Sequence, residues 1–175
     1  KSPEYQDSSS SSLASYDFSN LTSVGSYVNI YANYYMGSIR IFESTSASST
    51  VGTYFEYYNN DRAPSLNMTS LVSIDRYMVI HQNDGLQRLD APRLASIGEY
   101  LQVYDNGELH ALDLSALASL NADGGSSTCT ASGQYEDLCV YGNDLENIRT
   151  MLRGLTYLSL SVYSDSCLAF ADEAF

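Results

Sequence analysis

The sequence predicts an all-β chain folded as a right-handed parallel β-helix, a solenoid of about six coils with a roughly 23-residue repeat. Three observations carry this. Six short apolar segments each end on an aromatic ring and are followed two residues later by Asn or Asp: Val28 to Tyr31, Phe55 to Tyr58, Met78 to His81, Leu101 to Tyr104, Leu138 to Tyr141 and Leu160 to Tyr163. The steps from Ile74 to Ile97 and from Ile97 to Leu120 are 23 residues each. Within each segment apolar residues alternate with outward ones, as on a half-buried strand. Segments this short cannot bury their apolar side alone, so stacking in parallel about 4.8 Å apart must join them into one core.

The elements follow in order. Residues 1–12, rich in Ser and without a core pattern, read as a linker or tail. Residues 13–175 read as one solenoid domain. Leu13 to Leu21 matches the return half of a coil, like Leu109 to Leu117. Coil one runs from Leu21 through Tyr31 and Asn33 to Ile39 and Ile41. Coil two is longer, with Thr45 to Thr50 in place of the usual lead-in before Val51. Coils three and four repeat coil one, from Leu71 to Leu89 and from Leu94 to Leu114. Coil five carries an inserted loop at 121–134, and coil six begins at Leu155. The chain begins and ends at a similar phase, and no capping helix is visible. It is therefore expected to be a fragment of a longer array or a protomer that stacks head to tail.

Three columns follow from the alignment. Asn33, Asn60, Asn83, Asn106 and Asn143, with Asp165, form a structural ladder at one corner, where stacked amides bond one another and the turn backbone. Tyr31, Tyr58, His81, Tyr104, Tyr141 and Tyr163 form one outward aromatic column. Tyr27, Tyr54, Tyr77 and Tyr100 form the other. Between them lie Asn29, Glu56, Val79, Gln102, Cys139 and Ser161. Tyrosine is a good strand residue and stacks on its neighbours. An aromatic face rimmed by polar groups also marks a contact surface for protein or polysaccharide. His81 replaces Tyr in its column, and His110 lies on a return segment.

Composition excludes several classes. Net charge is −13 with eight Lys plus Arg, which disfavours nucleic acid and anionic lipid. Sixteen Tyr stand beside no Trp. No apolar run is long enough to span a membrane, so no membrane insertion is expected. The sequons at Asn20 and Asn67 and the Ser-rich start point to a secreted, glycosylated chain. Of the three cysteines no two form C-x-x-C, so no zinc site or other metal is expected. A disulfide between Cys129 and Cys139 is favoured, with Cys129–Cys167 as runner-up. Asp84 and Asp105 follow adjacent strands at comparable offsets, the pairing a glycosidase needs, but carboxylates abound in an acidic chain. No enzyme and no cofactor are expected.

The pattern Leu-x-Ser-Ile/Val-Gly-x-Tyr-apolar-x-Ile/Val-x-x-Asn, then Leu-x-x-Leu, is fullest at Leu21 to Asn33 and Leu94 to Asn106. It resembles the receptor L-domain repeat of insulin-receptor and EGF-receptor ectodomains. It is similar also to the repeats of fungal GPI-anchored cell-wall proteins related to the sporulation-specific family. The resemblance covers about residues 13–170. It implies a leucine-rich-repeat-like solenoid that is extracellular and without catalytic activity. The expected function is a non-enzymatic structural or adhesive protein of a cell surface, wall or appendage, self-associating head to tail into a filament or layer. Its partner is then itself or another cell-surface protein. The alternative is a receptor-type domain that binds protein or glycan through the Tyr face.

Overall fold

The computed structural model describes residues 5–8, 15–45, 47–120, 138–141 and 143. The strands in chain order are β1 (Tyr5–Ser8), β2 (Ser15–Phe18), β3 (Ser23–Val24), β4 (Val28–Tyr31), β5 (Ser38–Ile41), β6 (Ser49–Val51), β7 (Phe55–Tyr58) and β8 (Ser65–Asn67). They continue as β9 (Leu71–Ile74), β10 (Met78–His81), β11 (Arg88–Asp90), β12 (Ser96–Ile97), β13 (Leu101–Tyr104), β14 (Ala111–Asp113), β15 (Ser119–Leu120) and β16 (Leu138–Tyr141). No described residue is helical.

Hydrogen-bonded neighbours are three strands apart in the chain, so each coil contributes one strand to each of three sheets. The first sheet runs β1-β4-β7-β10-β13-β16, the second β14-β11-β8-β5-β2, the third β15-β12-β9-β6-β3. Neighbouring strands are parallel in all three sheets. The chain is a parallel β-solenoid of about five turns.

Register confirms the repeat length and locates its two irregularities. Met78 pairs with Leu101, Leu89 with Leu112 and Ile74 with Ile97, each 23 apart in the chain. Val28 pairs with Phe55 and Val24 with Val51, each 27 apart. The extra residues fall between β5 and β6, in the coil whose lead-in departs from the pattern. There Ser49 stands opposite Leu71 at a register shift. Its buried hydroxyl donates to the Leu21 carbonyl at 3.0 Å and lies 2.7 Å from the Ser70 hydroxyl, so the polar substitute is satisfied. Leu101 pairs with Leu138, 37 apart; 37 less 23 leaves 14, the length of the inserted segment 121–134. That segment and the sixth coil from Leu155 lie outside the described residues.

One expectation changes. Tyr5–Ser8, within the segment read as a linker, pairs in parallel with β4. Ladder pairing joins main-chain groups and does not require an apolar pattern, so composition alone misses such a strand.

The core is a stack of apolar columns. Val28, Phe55, Met78 and Leu101 form one, with Ile30, Tyr57, Ile80, Val103 and Val140 beside it on the first sheet. Ile39, Leu66, Leu89 and Leu112 line the second sheet, and Val24, Val51, Ile74, Ile97 and Leu120 the third. Coils also touch closely through backbone: a Cβ on Gly98 would stand 1.9 Å from the Asp75 carbonyl oxygen. This explains the Gly in Leu-x-Ser-Ile-Gly.

Tyr57 is the exception in its column, a phenol where the neighbouring coils place Ile or Val. It is fully buried, and its hydroxyl has no hydrogen-bond partner among the described residues. The coil makes room elsewhere, because Ala63 stands where neighbouring coils have Met36, Leu86 and Leu109. An orphaned buried hydroxyl costs its full desolvation. Tyr57→Phe is therefore expected to raise stability by about 1 kcal/mol in urea unfolding. An unchanged or lower midpoint would show that the hydroxyl is satisfied.

Candidate functional site

The first-sheet strands β4, β7, β10 and β13 end in the same corner. Ala32, Asn59, Gln82 and Asp105 follow the last strand residue with φ of 58°, 55°, 53° and 52°. This left-handed step costs about 1 kcal/mol or more for a residue with a side chain. It turns the next residue, an Asn, into the interior. Asn33, Asn60, Asn83 and Asn106 are all fully buried.

The ladder they form is directional. The Asn83 Oδ1 accepts from the Asn60 backbone N–H at 3.0 Å and from its Nδ2 at 3.4 Å. The Asn83 Nδ2 donates to the Tyr57 and His81 carbonyls at 3.1 and 2.9 Å, and to the Asn106 Oδ1 at 2.9 Å. The same set recurs from Asn33 to Asn60 and from Asn106 to Asn143. Asp165, the expected sixth rung, lies outside the described residues. Among the described residues, Asn60, Asn83 and Asn106 are bonded to amides on both sides, so these rungs hold the fold together.

Both aromatic columns are continuous across coils one to four. Tyr27, Tyr54, Tyr77 and Tyr100 stack at centroid distances of 4.9, 4.8 and 4.8 Å, with planes within 5° of parallel. Tyr31, Tyr58, His81 and Tyr104 stack at 5.0, 4.8 and 4.8 Å within 8°. The spacing is that of parallel strands. His81 fits because its ring continues the stack. Each inner ring is therefore stacked on both sides by its column neighbours. The Tyr141 and Tyr163 side chains lie outside the described residues.

The middle column is less exposed than alternation alone implies. Val79 points away from the core yet is 8% exposed, enclosed between the ring columns. Glu56, one coil away, is half-buried. Its Oε2 accepts from the Asn29 Nδ2 at 3.0 Å and its Oε1 from the Tyr77 hydroxyl at 3.2 Å. Burial pushes the Glu56 carboxyl above its usual range, against the Tyr77 hydrogen bond. Burial also raises the Tyr58 and Tyr77 phenols, with Glu56 adding to both. The His81 imidazole is held below its ordinary value by burial. The wall is therefore a shallow second layer of rings with one carboxyl set into it.

The other residues singled out in the sequence scatter. Asp84 and Asp105 do not share a column: pairing of His81 with Tyr104 sets Asp105 beside Gln82 and Asp84 beside Gly107. Asp84 instead neighbours Asp61, whose carboxyl is raised first by burial and then by the Asp84 charge. His110 is exposed, its Nδ1 2.9 Å from the Glu108 carbonyl. Asn20 sits in an exposed turn after β2, and Asn67 lies in β8 on the second sheet, so neither sequon falls on the aromatic wall. Cys129 and Cys167 and the Cys139 side chain lie outside the described residues. No group of His, Cys, Asp or Glu able to hold a metal occurs among the described residues. Sequence reading missed Tyr34 and Tyr35, which follow the first Asn of the ladder, 50% and 54% exposed, with Arg62 stacked 5.1 Å from the Tyr35 ring. Only their departure from the repeat marks them.

No family model, curated protein or solved structure matches this chain.

Asn83→Ala removes the acceptor for Asn60 and the donor for two carbonyls. It is expected to cost about 3 kcal/mol or more, since each orphaned buried group costs about 1–3 kcal/mol; denaturant unfolding measures it. The two buried titrating groups act oppositely with pH. The raised Glu56 favours its neutral form, so its contribution is full in acid and is lost as pH rises through the folded-state value. The lowered His81 contributes above the 6.5 of an ordinary histidine and loses that contribution as pH falls. Glu56→Gln should therefore raise the melting temperature at neutral pH, with the gain vanishing below 4.5, the ordinary Glu value. His81→Tyr should remove the loss on mild acidification. Thermal melts across pH check both.

Proposed function

We propose that this chain is a non-enzymatic extracellular repeat module, structural or adhesive, that makes its contacts through the ring-lined wall of the first sheet. The observation that supports this is the pair of unbroken ring columns on a solvent-facing sheet. Aromatic area rimmed by polar groups on a rigid scaffold is the usual composition of a recognition surface. The rigidity comes from the ladder and the stacked core, so little ordering cost falls on binding. The receptor-type and cell-wall families that the repeat resembles use solenoids in such roles, and the sequons fit a secreted chain.

Because the rings stack on one another, their faces are poorly placed to lie against neutral sugar rings. Edges, hydroxyls and the central polar groups suit a protein surface better. Self-association is a second reading, favoured by the polarity of the Asn ladder. Each amide accepts from one side and donates to the other, so only a head-to-tail contact extends it.

The test is Tyr58→Ala/Tyr104→Ala. Binding to cell-surface protein extracts or to insoluble wall polysaccharide should fall at least about tenfold, as for loss of aromatic anchors, with the far-ultraviolet spectrum unchanged. Binding equal to that of the parent would make the columns purely structural. Light scattering across a concentration series tests self-association, which a constant monomer mass would sink.

A further inference from the structure

We propose that the aromatic wall takes a basic protein segment, with a lysine or arginine of the partner seated against Glu56. This deepens the reading of the wall as a contact surface and rests on it.

The argument begins with an incomplete charge. Glu56 sits near the middle of the wall, flanked along its own strand by Tyr54 and Tyr58 and bonded by the Asn29 amide and the Tyr77 hydroxyl. Both donors are neutral. No ion pair reaches it among the described residues, although the fold supplies pairs elsewhere.

None of the five described arginines is ion-paired with Glu56, although the Arg76 guanidinium lies over the Tyr77 ring, 5.6 Å from its centroid. Arg40 pairs with Asp17 at 3.3 Å and Glu43 at 2.8 Å, Arg76 with Glu99 at 2.7 Å, and Arg88 with Asp90. Arg62 stacks on Tyr35, and Arg93 donates to the Ser48 hydroxyl at 3.1 Å. The net charge of −13 completes the picture. Any counter-charge for Glu56 would come from outside these residues, and an acidic chain draws cationic partners by long-range attraction.

The surroundings suit an ammonium or guanidinium. A carboxylate that accepts two hydrogen bonds keeps further lone pairs. The ring columns supply apolar flanks for the aliphatic stem of Lys or Arg. Partial burial strengthens a charge-assisted bond relative to one on open surface. A neutral sugar can donate hydroxyls to the carboxylate but brings no counter-charge.

The test is calorimetric titration of the folded chain with a capped peptide alternating lysine and threonine, against one alternating glutamate and threonine. The lysine peptide should bind, the glutamate peptide should not, and added salt should weaken the complex. Glu56→Gln should weaken it about tenfold. Asn29 can reverse its amide to accept from the new carboxamide, so the fold is preserved; the tyrosine near-ultraviolet signal checks this. Glu108→Gln, an exposed carboxylate outside the wall, is the control and should change affinity little. Equal effects of the two substitutions would reduce the binding to general polyanion attraction and overturn the proposal. So would no binding of the lysine peptide, or binding of an aminated polysaccharide such as chitosan in its place. The Tyr58→Ala/Tyr104→Ala comparison is read on a different ligand, so failure of the wall as a contact surface is distinguishable from failure of this partner class.

Discussion

The corner amide is the interaction on which the rest of the solenoid depends. A parallel stack gains its core only if every coil turns at the same height, because an error at one corner displaces every side chain after it. The left-handed residue makes the turn sharp, and the buried Asn that follows bonds the backbone of its own coil and the amides of the coils on either side. It specifies the turn, satisfies interior main-chain groups and measures the spacing to the next coil. An unsatisfied amide at that depth would cost more than a typical hydrogen bond contributes, so the ladder is strongly selective for complete stacking.

Once the corner fixes the rise, the outer columns follow without further instruction. Rings that recur at the same place in each coil are carried to 4.8 Å from one another and lie nearly parallel. They need no evolved contact to stack, only the same register. The consequence for function is less obvious. Stacking uses up ring faces and closes the rings around the middle column, which turns outward-pointing side chains such as Val79 and Glu56 into half-enclosed ones. A wall built this way offers edges, hydroxyls and a carboxyl rather than flat aromatic plates.

Irregularities are absorbed where the ladder is not. The longer second coil takes its extra residues between β5 and β6, and the buried Ser49 that results is tied to Leu21 and Ser70. The insertion before β16 leaves the pairing of Leu101 with Leu138 intact. Both changes fall away from the Asn corner. Tyr57 and Ala63 show the same tolerance within the core, a large residue and a small one exchanged inside one coil.

Much of this was legible in the residues themselves. Fold class, coil length, the inward and outward parity of each first-sheet strand, the Asn ladder and both ring columns are consequences of periodicity, and periodicity is a property of sequence. Val28 and Ile30 face in because alternation admits no other choice once one of them is buried. Tertiary structure alone decided three things. It paired Tyr5–Ser8 into the first sheet, since main-chain pairing leaves no compositional trace. It separated Asp84 from Asp105, since register across coils outranks nearness in the chain. It half-buried Glu56 without a counter-charge among the described residues, since exposure depends on how neighbouring rings lean and charge pairing on which arginines lie within reach. Those are distances between coils, and a repeat pattern read along one chain does not contain them.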